Sequence, residues 1–336
     1  MQGIVFHGER EVELVTLPDP VAGPGEVVVA VKASGMCGSD LHIYRGPRRD
    51  RPTIGGHEPA GVVVEVGDGV PDTWIGRSVM VHHYLGCGRC DQCRAGWTQL
   101  CRLGSTAMGN TAPGSHADFV AVPFSTILPM PEGLSFLAAA AVGCGTGTAW
   151  GALERLELVG SDTVAIFGQG PVGLAATQLA SAMGARVIAL DISPERLERS
   201  VAFGAWATLN PAEVDSVPDA VSALNGGRGV QKSVETSGAS SAANQALQVL
   251  DLWGTACWVG VGSTIHFDLT EHLYRQIRAV TSWTMSIPSM AACARFVVDR
   301  GVDVDALFTD RWQLTDAVHA YELLDRQSSG KGVFLP

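Results

Sequence analysis

The spacing of hydrophobic and polar positions changes character near Pro131. Before this point, short β-branched runs such as Glu26–Lys32, Gly61–Val66 and Arg77–His82 are separated by Gly, Pro and Asp. Runs of this length, bounded by turn residues, are typical of strands. The first part of the chain is therefore predicted to be a compact, barrel-like β domain with few helices.

After Pro131, apolar runs of strand length alternate with segments of helical length. The alternation predicts a doubly wound parallel sheet. The predicted strands are Thr163–Phe167, Arg186–Leu190, Ala207–Asn210, Val230–Glu235, Gly254–Val261 and Ala279–Trp283. Beyond Pro288, a helix, a strand near Leu307–Trp312, another helix and a last strand at Lys331–Leu335 are expected to rejoin the first domain. The fold class is α/β, with domains 1–143 plus 288–336 and 144–287.

Size and charge limit the classes of function. The 336 residues are too many for one core, and 46% of them are hydrophobic against 17% charged, which favours a globular protein. A net charge of -11 without a Lys/Arg run disfavours nucleic acid and anionic membranes as partners. The N-terminus lacks the pattern of a secretory signal, and no run of about 18 apolar residues occurs. We expect a soluble, cytoplasmic protein.

Four of the eight cysteines lie within fifteen residues, on a polar loop at 87–101. Two-residue spacers let successive thiolates converge on a tetrahedral zinc ion at about 2.3 Å. Because no export signal is present, a metal site is a better interpretation than disulfides. The loop is predicted to bind a structural zinc through Cys87, Cys90, Cys93 and Cys101.

A second group of candidate ligands lies in two glycine-punctuated segments. Cys37 and His42 lie in the first, and the pair His57-Glu58 precedes a buried strand in the second. A thiolate and an imidazole on such loops suggest a zinc site with a position open for substrate. Taken alone, each segment is weak, because a histidine on a β-turn is more often an ordinary polar residue. On spacing alone, His42 could also be a zinc ligand.

A glycine-rich turn follows the strand that ends at Phe167 and precedes a helical segment. This context predicts a dinucleotide site, with the pyrophosphate at the helix N-terminus. Asp191, about twenty residues further on, is placed to bind both ribose hydroxyls. For Arg196, contact with the adenosine and simple solvation remain equally open. The residues of the turn are Gly168, Gly170, Pro171, Val172 and Gly173.

These motifs, in this order, resemble those of the zinc-containing medium-chain dehydrogenase/reductase family, which includes alcohol, polyol and threonine dehydrogenases. The resemblance covers essentially the whole chain and depends on Cys37-Gly-Ser-Asp, Gly56-His57-Glu58, the four-cysteine loop and the Gly168 motif. It implies a GroES-like catalytic domain and a Rossmann domain, with the active site in the cleft between them. It also implies a homo-oligomer, a dimer or a tetramer.

The resemblance further implies the ligands of a catalytic zinc. Cys37 and His57 would be the first two ligands, and Glu58 the neighbouring acid that can approach the metal or exchange onto it. Gly143-Cys144-Gly-Thr-Gly-Thr148 resembles the alcohol-dehydrogenase version, in which a cysteine is the third ligand. Polyol and threonine dehydrogenases have a glutamate in this region, and no acidic residue lies near Cys144. With two thiolates and a neutral imidazole, the zinc site would be formally neutral.

Other roles follow from the same comparison. Ser39 would take the proton of the substrate hydroxyl, and His42 would pass it to solvent by way of the cofactor ribose. Asp40 would orient His57, as outer carboxylates commonly do at such sites. Residues expected beside the nicotinamide are Thr148, Val259 and Val261.

The expected activity is that of an NAD-dependent zinc alcohol dehydrogenase with two zinc ions per chain, in which zinc lowers the pKa of the alcohol for hydride transfer. His83, Tyr84 and the arginine-rich loop at 45–51 would make the substrate site polar, which favours a hydroxylated or anionic secondary alcohol unless the arginines are merely solvated.

Alternatives are a polyol, sugar or threonine-type dehydrogenase and a zinc-free reductase of the superfamily. A catalytically silent dinucleotide-binding protein is the non-enzyme alternative.

Overall fold

The computed structural model describes residues 1–326 and 330–336. The chain forms two compact units. The first unit comprises Met1–Gly147 and Ser286–Pro336, and the second comprises Thr148–Met285.

The strands and helices follow one another along the chain with short connections. The strands are β1 (Gln2–Gly8), β2 (Glu11–Thr16), β3 (Glu26–Gly35), β4 (Thr53–Ile54), β5 (Glu58–Val66), β6 (Ser78–Val81), β7 (Tyr84–Leu85), β8 (Thr106–Ala107), β9 (Phe119–Pro123), β10 (Ile127–Pro129), β11 (Thr163–Phe167), β12 (Arg186–Leu190), β13 (Ala207–Leu209), β14 (Val230–Glu235), β15 (Leu250–Trp258), β16 (Arg278–Thr281), β17 (Phe308–Trp312) and β18 (Lys331–Phe334). The α-helices are α1 (Asp40–Tyr44), α2 (Asp91–Arg94), α3 (Phe136–Val142), α4 (Gly145–Arg155), α5 (Pro171–Ala182), α6 (Pro194–Ala202), α7 (Val217–Leu224), α8 (Ser240–Gln248), α9 (Leu269–Arg275), α10 (Ile287–Arg300) and α11 (Ala317–Asp325).

The first unit is built around a curved sheet in the order β10-β6-β5-β3-β18-β17, with β9 also paired to β3. Alternate residues of β3, Val27, Val29 and Val31, are buried in one apolar cluster, as expected when successive side chains point to opposite faces. Strand β18 pairs antiparallel with β3 and parallel with β17. The C-terminal segment therefore completes the sheet of the first unit.

A second apolar cluster in the first unit packs the N-terminal strands against α1 and α11. Phe6, Tyr44, Tyr321 and Phe334 are its aromatic members. Part of the segment predicted as a loop after Cys37 forms the short helix α1, because Asp40 N–H donates to Cys37 O and Leu41 N–H donates to Gly38 O. This cluster anchors α1 beside the residues described below.

The second unit contains a six-stranded parallel sheet in the order β13-β12-β11-β14-β15-β16, with helices between the strands. This is the strand order of doubly wound dinucleotide-binding folds, and it confirms the predicted fold class. Strands β11, β12 and β14 have the predicted bounds. Strand β15 begins earlier than predicted and ends at Trp258, because Val259 and Gly260 both direct their N–H groups at Glu235 O and the chain turns away from the sheet.

Among the described residues, no single helix is long and apolar enough to cross a membrane. The bent pair α3 and α4 passes the length and composition criteria only when the two helices are taken together.

Candidate active site

The four sulfur atoms of Cys87, Cys90, Cys93 and Cys101 lie within 4.8 Å of one another. Helix α2 begins inside the loop, with Cys90 at its N-cap. Backbone N–H groups point at the sulfurs: Cys90 donates to Cys87 at 3.4 Å, Cys93 to Cys90 at 3.5 Å and Cys87 to Cys101 at 3.4 Å. Thiolates bound to one tetrahedral zinc are about 3.8 Å apart. The donor set fits a structural zinc.

Two of these thiols have pKa values shifted in opposite directions. The N–H groups of Cys93 and Arg102 lower the pKa of Cys90 to about 6, whereas burial raises the pKa of Cys93 to about 12. A coordinated metal ion deprotonates thiols outright. Outside the cluster, the Arg102 guanidinium donates to both carboxylate oxygens of Asp91, at 2.6 and 2.7 Å. This pair connects the C-terminal end of the loop to the first residue of α2.

A second cluster consists of Cys37, His57, Glu58 and Cys144, whose ligand atoms also lie within 4.8 Å of one another. Strands β3 and β5 pair with Gly35 opposite Glu58, which brings Cys37 beside His57. Cys144 follows the C-cap of α3, and its sulfur lies 3.9 Å from that of Cys37. Two thiols, an imidazole and a carboxylate at these separations match the donor preferences of zinc.

His57 is oriented by the buried carboxylate of Asp40. Its Nδ1 lies 2.9 Å from Asp40 Oδ1, so the carboxylate holds the Nδ1 proton and Nε2 is the nitrogen that could bind a metal ion in place of its own proton. The hydroxyl of Ser39 lies 3.3 Å from that Nε2. Burial opposes charge on His57, but the Asp40 carboxylate outweighs it and raises the His57 pKa well above its usual value.

Sequence reasoning missed Lys331, which lies beside the same cluster. Its Nζ is 2.5 Å from Glu58 Oε2 and donates to Met36 O at 3.2 Å. Burial raises the pKa of Glu58 to about 7 against the opposing charge of Lys331. The sequence does contain one indication of this contact. A lysine begins a strand whose other residues are apolar, and a lysine buried there needs a partner within the protein.

His83 extends the polar environment of the second cluster. Its Nδ1 donates to Gly143 O at 2.9 Å, and its ring centroid lies 5.0 Å from that of His57. Burial and the neighbouring histidines lower the His83 pKa well below its usual value. The ring is therefore neutral, with Nε2 available to accept a hydrogen bond. The Tyr84 ring packs against it at a tilt of 43°, with the ring centroids 4.3 Å apart.

The remaining predicted residues of the first unit are His42 and the loop arginines. His42 lies on the exposed side of α1 and is outside the group of atoms able to share a metal ion. Three loop arginines have partners within the chain: Arg45 pairs with Asp325, Arg48 with Glu11, and Arg49 donates to Asn110 O at 2.7 Å.

The glycine-rich turn lies in the second unit, between β11 and α5. Gly168 has φ of 86°, which disfavours other residues, and a side chain at Gly173 would collide with Gly168 O. A side chain at Gly170 would instead project into open space, where a phosphate can approach the N-terminus of α5. Pro171 and Val172 open that helix.

Asp191 lies beside this turn, at the end of β12. It accepts hydrogen bonds from Gln169 N–H at 2.6 Å and from Ser193 N–H at 2.9 Å. Each oxygen keeps a further lone pair, and Arg196 Nη1 lies 3.9 Å from Oδ2. Elsewhere in the second unit, Thr148 is half-buried on α4, Val259 is half-buried after β15, and Val261 is exposed.

Comparison with known proteins agrees with this arrangement. Residues 23–132 match the model of the alcohol dehydrogenase GroES-like domain, and residues 171–299 match that of zinc-binding dehydrogenases. An uncharacterized zinc-type alcohol dehydrogenase-like protein of Escherichia coli (strain K12) is 33% identical, over 99% of this chain and 98% of its own. Sorbitol dehydrogenase of Bacillus subtilis (strain 168) is 31% identical over 96% and 93%.

Solved structures show the same fold. An alcohol dehydrogenase from Thermus sp. ATN1 superposes with a TM-score of 0.92 and 28% identity, over 100% of this chain and 99% of its own. The chain therefore belongs to the zinc-containing medium-chain dehydrogenase/reductase family. It is an oxidoreductase of the zinc alcohol dehydrogenase type, as the sequence predicted.

Proposed function

We propose that this chain transfers hydride between a secondary or polyhydroxylated alcohol and NAD, with Cys37, His57 and Cys144 as ligands of a catalytic zinc. The convergence of these three side chains, with Asp40 fixing the His57 tautomer, carries the proposal. Cys87, Cys90, Cys93 and Cys101 would hold a second, structural zinc. The first unit then acts as the catalytic domain and the second as the dinucleotide-binding domain.

Each side chain of the site has a defined task in this proposal. A zinc ion would supply Lewis acidity toward the alcohol oxygen, which lowers the pKa of the alcohol. The Ser39 hydroxyl, 3.3 Å from His57 Nε2, would take the proton of the alcohol and release its own proton along the relay to His42. His42, on the exposed side of α1, passes the proton to solvent. Glu58, held by Lys331, remains beside the metal as an exchangeable carboxylate.

The cofactor is proposed to be NAD because Asp191 lies beside the glycine turn. Its carboxylate can accept hydrogen bonds from both ribose hydroxyls but opposes the 2'-phosphate of NADP as a like charge. Thr148, Val259 and Val261 are proposed to lie along the nicotinamide. The turn from Gly168 to Gly173 would hold the pyrophosphate.

His83 supports a polyhydroxylated substrate. Its neutral ring directs an acceptor nitrogen beside the ligand cluster, where a second hydroxyl of the substrate can donate to it. The similarity to sorbitol dehydrogenase of B. subtilis agrees with this choice. The arginines at 45, 48 and 49 are engaged elsewhere, so an anionic substrate receives less support.

A panel of alcohols followed by NADH absorbance tests the proposed function. We expect turnover with secondary alcohols and diols, and its loss in Cys37→Ser. Cys257→Ala, which changes a buried thiol of the second unit, is the matched control and should keep activity. His83→Phe should raise KM for diols more than for simple secondary alcohols. Turnover that survives in Cys37→Ser would exclude the proposed metal site.

The chain is further proposed to act as a homo-oligomer in the cytoplasm. Strand β16 is an edge strand of its sheet, and Trp253, Leu273 and Tyr274 expose large apolar side chains in the same unit. Exposed apolar side chains and an unpaired strand edge favour association. Thiolate zinc sites suit a reducing compartment. Light scattering of the purified chain tests the association, and a mass of 35.2 kDa would exclude it.

A further inference from the structure

A chain of hydrogen bonds connects His57 to the core of the first unit. Beyond the bond from His57 to Asp40 Oδ1, the Tyr321 hydroxyl lies 3.3 Å from Asp40 Oδ2. His116 Nε2 lies 2.7 Å from the same hydroxyl. The Ser34 hydroxyl is 2.8 Å from His116 Nδ1.

All of these groups are buried. Tyr321, His116 and Ser34 are fully inaccessible to solvent, and Asp40 is 3% exposed. Phe6 packs edge-on against Tyr321, with ring centroids 4.8 Å apart. Buried polar groups need partners within the protein. Besides one another, these groups have two further partners: the Ser115 hydroxyl lies 2.8 Å from that of Ser34, and Cys37 N–H donates to Asp40 Oδ2 at 2.8 Å.

One arrangement of protons directs this chain toward Asp40. In it, Tyr321 donates its hydroxyl proton to the Asp40 carboxylate and accepts a hydrogen bond from His116 Nε2–H. His116 Nδ1 then accepts from Ser34. Burial lowers the pKa of His116 to about 4, so its ring is neutral and carries a single proton. In this arrangement every donor is directed toward Asp40.

His116 also shapes the turn that carries His57. Its backbone N–H donates to Gly55 O at 2.9 Å, and its ring occupies the space that a side chain at Gly56 would need. The same histidine thus contacts the backbone just before His57 and, through Tyr321, the carboxylate that orients the His57 ring.

We propose that Tyr321, supported by His116, is a positioning residue for the catalytic metal. Its hydroxyl fixes the Asp40 carboxylate so that the His57 proton stays on Nδ1 and Nε2 remains a ligand. The inference rests on the proposed zinc site of Cys37, His57 and Cys144. Tyr321 itself is not expected to touch substrate.

The test is the rate at which the zinc-loaded protein releases each metal ion to a chromophoric chelator. In Tyr321→Phe, release from the His57 site should accelerate by about tenfold, the lower end of the range for outer partners of metal ligands. Release from the four-cysteine loop should not change. Tyr44→Phe is the matched control, because Tyr44 packs against the Tyr321 ring at 5.4 Å, and among the described residues its hydroxyl makes no hydrogen bond to Asp40. His57→Ala, which lacks one ion, identifies the phase that belongs to each site.

A double-mutant cycle tests the role of His116. If His116 acts through Tyr321, adding His116→Phe to Tyr321→Phe should accelerate release by less than the product of the two single effects. The ¹⁵N shifts of His57 in Tyr321→Phe should show a partial loss of the Nδ1–H form.

Two results would overturn the inference. One is release from the His57 site at the native rate in Tyr321→Phe. The other is equal acceleration at both zinc sites, which would indicate a general loss of packing. If His57→Ala removes no zinc from the protein, the proposed function itself fails and takes this inference with it.

Discussion

Lys331 and Glu58, from opposite ends of the chain, form an ion pair at 2.5 Å inside the first unit. Glu58 is 0% exposed and Lys331 is 3% exposed. Breaking a buried ion pair by removing one partner leaves an uncompensated charge and costs about 3–5 kcal/mol. The pair therefore couples the C-terminal strand β18 to the metal-binding cluster.

The first prediction is that Lys331→Met lowers the free energy of unfolding more at pH 8.5 than at pH 6. Glu58 has a folded-state pKa of about 7, above its unfolded value, so its charge opposes folding as pH rises through this range. Loss of the cation raises that pKa further. At pH 6 the carboxyl then keeps its proton, and little unpaired charge is buried. Urea denaturation at the two pH values measures the difference.

The control for this prediction is the double variant Lys331→Met, Glu58→Gln. It contains no ionisable group at either position, so the extra loss at pH 8.5 should disappear. An equal loss at both pH values in Lys331→Met would mean that packing, not charge, makes the lysine important.

The second prediction concerns the four-cysteine loop. Cys93→Ser should reduce zinc content by about one ion per chain and lower the melting temperature, because metal binding at such sites contributes directly to folding. Cofactor binding by the second unit should survive. A variant with native melting and native metal content would show that the loop does not hold zinc.

The third prediction addresses the identity of the third ligand. Cys144→Ala should lose zinc from the His57 site and nearly all turnover, since the Cys37 and Cys144 sulfurs are 3.9 Å apart. Glu58→Gln should keep the zinc, because Glu58 is engaged with Lys331. Metal analysis of the two variants distinguishes them. Zinc retained in Cys144→Ala but lost from Glu58→Gln would reverse the assignment.

The fourth prediction is a preference for NAD over NADP of about a hundredfold in kcat/KM, because like charges placed together cost several kcal/mol. Asp191→Ala should move the preference toward NADP, since Arg196, 3.9 Å from Asp191, then faces the added phosphate. Adding Arg196→Ala should remove that gain. A preference unchanged in Asp191→Ala would show that this carboxylate does not contact the ribose.

The parts of the fold that sequence predicted are those with local signals. Strands β11, β12 and β14 are buried apolar runs with turn residues at their ends, and their bounds were obtained directly. Strand β15 was misplaced because its exposed start, with Leu252 and Trp253, carries no alternation. Trp253 has a positive φ of 63°, which no sequence pattern indicates for a tryptophan.

The candidate site was predictable to the extent that its residues lie in short motifs. The four-cysteine loop has a diagnostic spacing, whereas Cys37 and His57 gained weight only from the order of the motifs along the chain, and Asp40 is close in sequence to Cys37. Lys331 and Tyr321 reach the site from the C-terminal segment through the pairing of β18 with β3 and the packing of α11. Contacts of this separation depend on tertiary structure and leave no local pattern.

The zinc content of His57→Ala, measured together with NADH formation, decides whether the Cys37, His57 and Cys144 cluster is the active site. We expect two zinc ions and alcohol-dependent NADH formation in the native chain. In His57→Ala we expect one zinc ion, retained by the four-cysteine loop, and almost no NADH formation. A variant that keeps two zinc ions and native turnover would contradict the assignment of the active site.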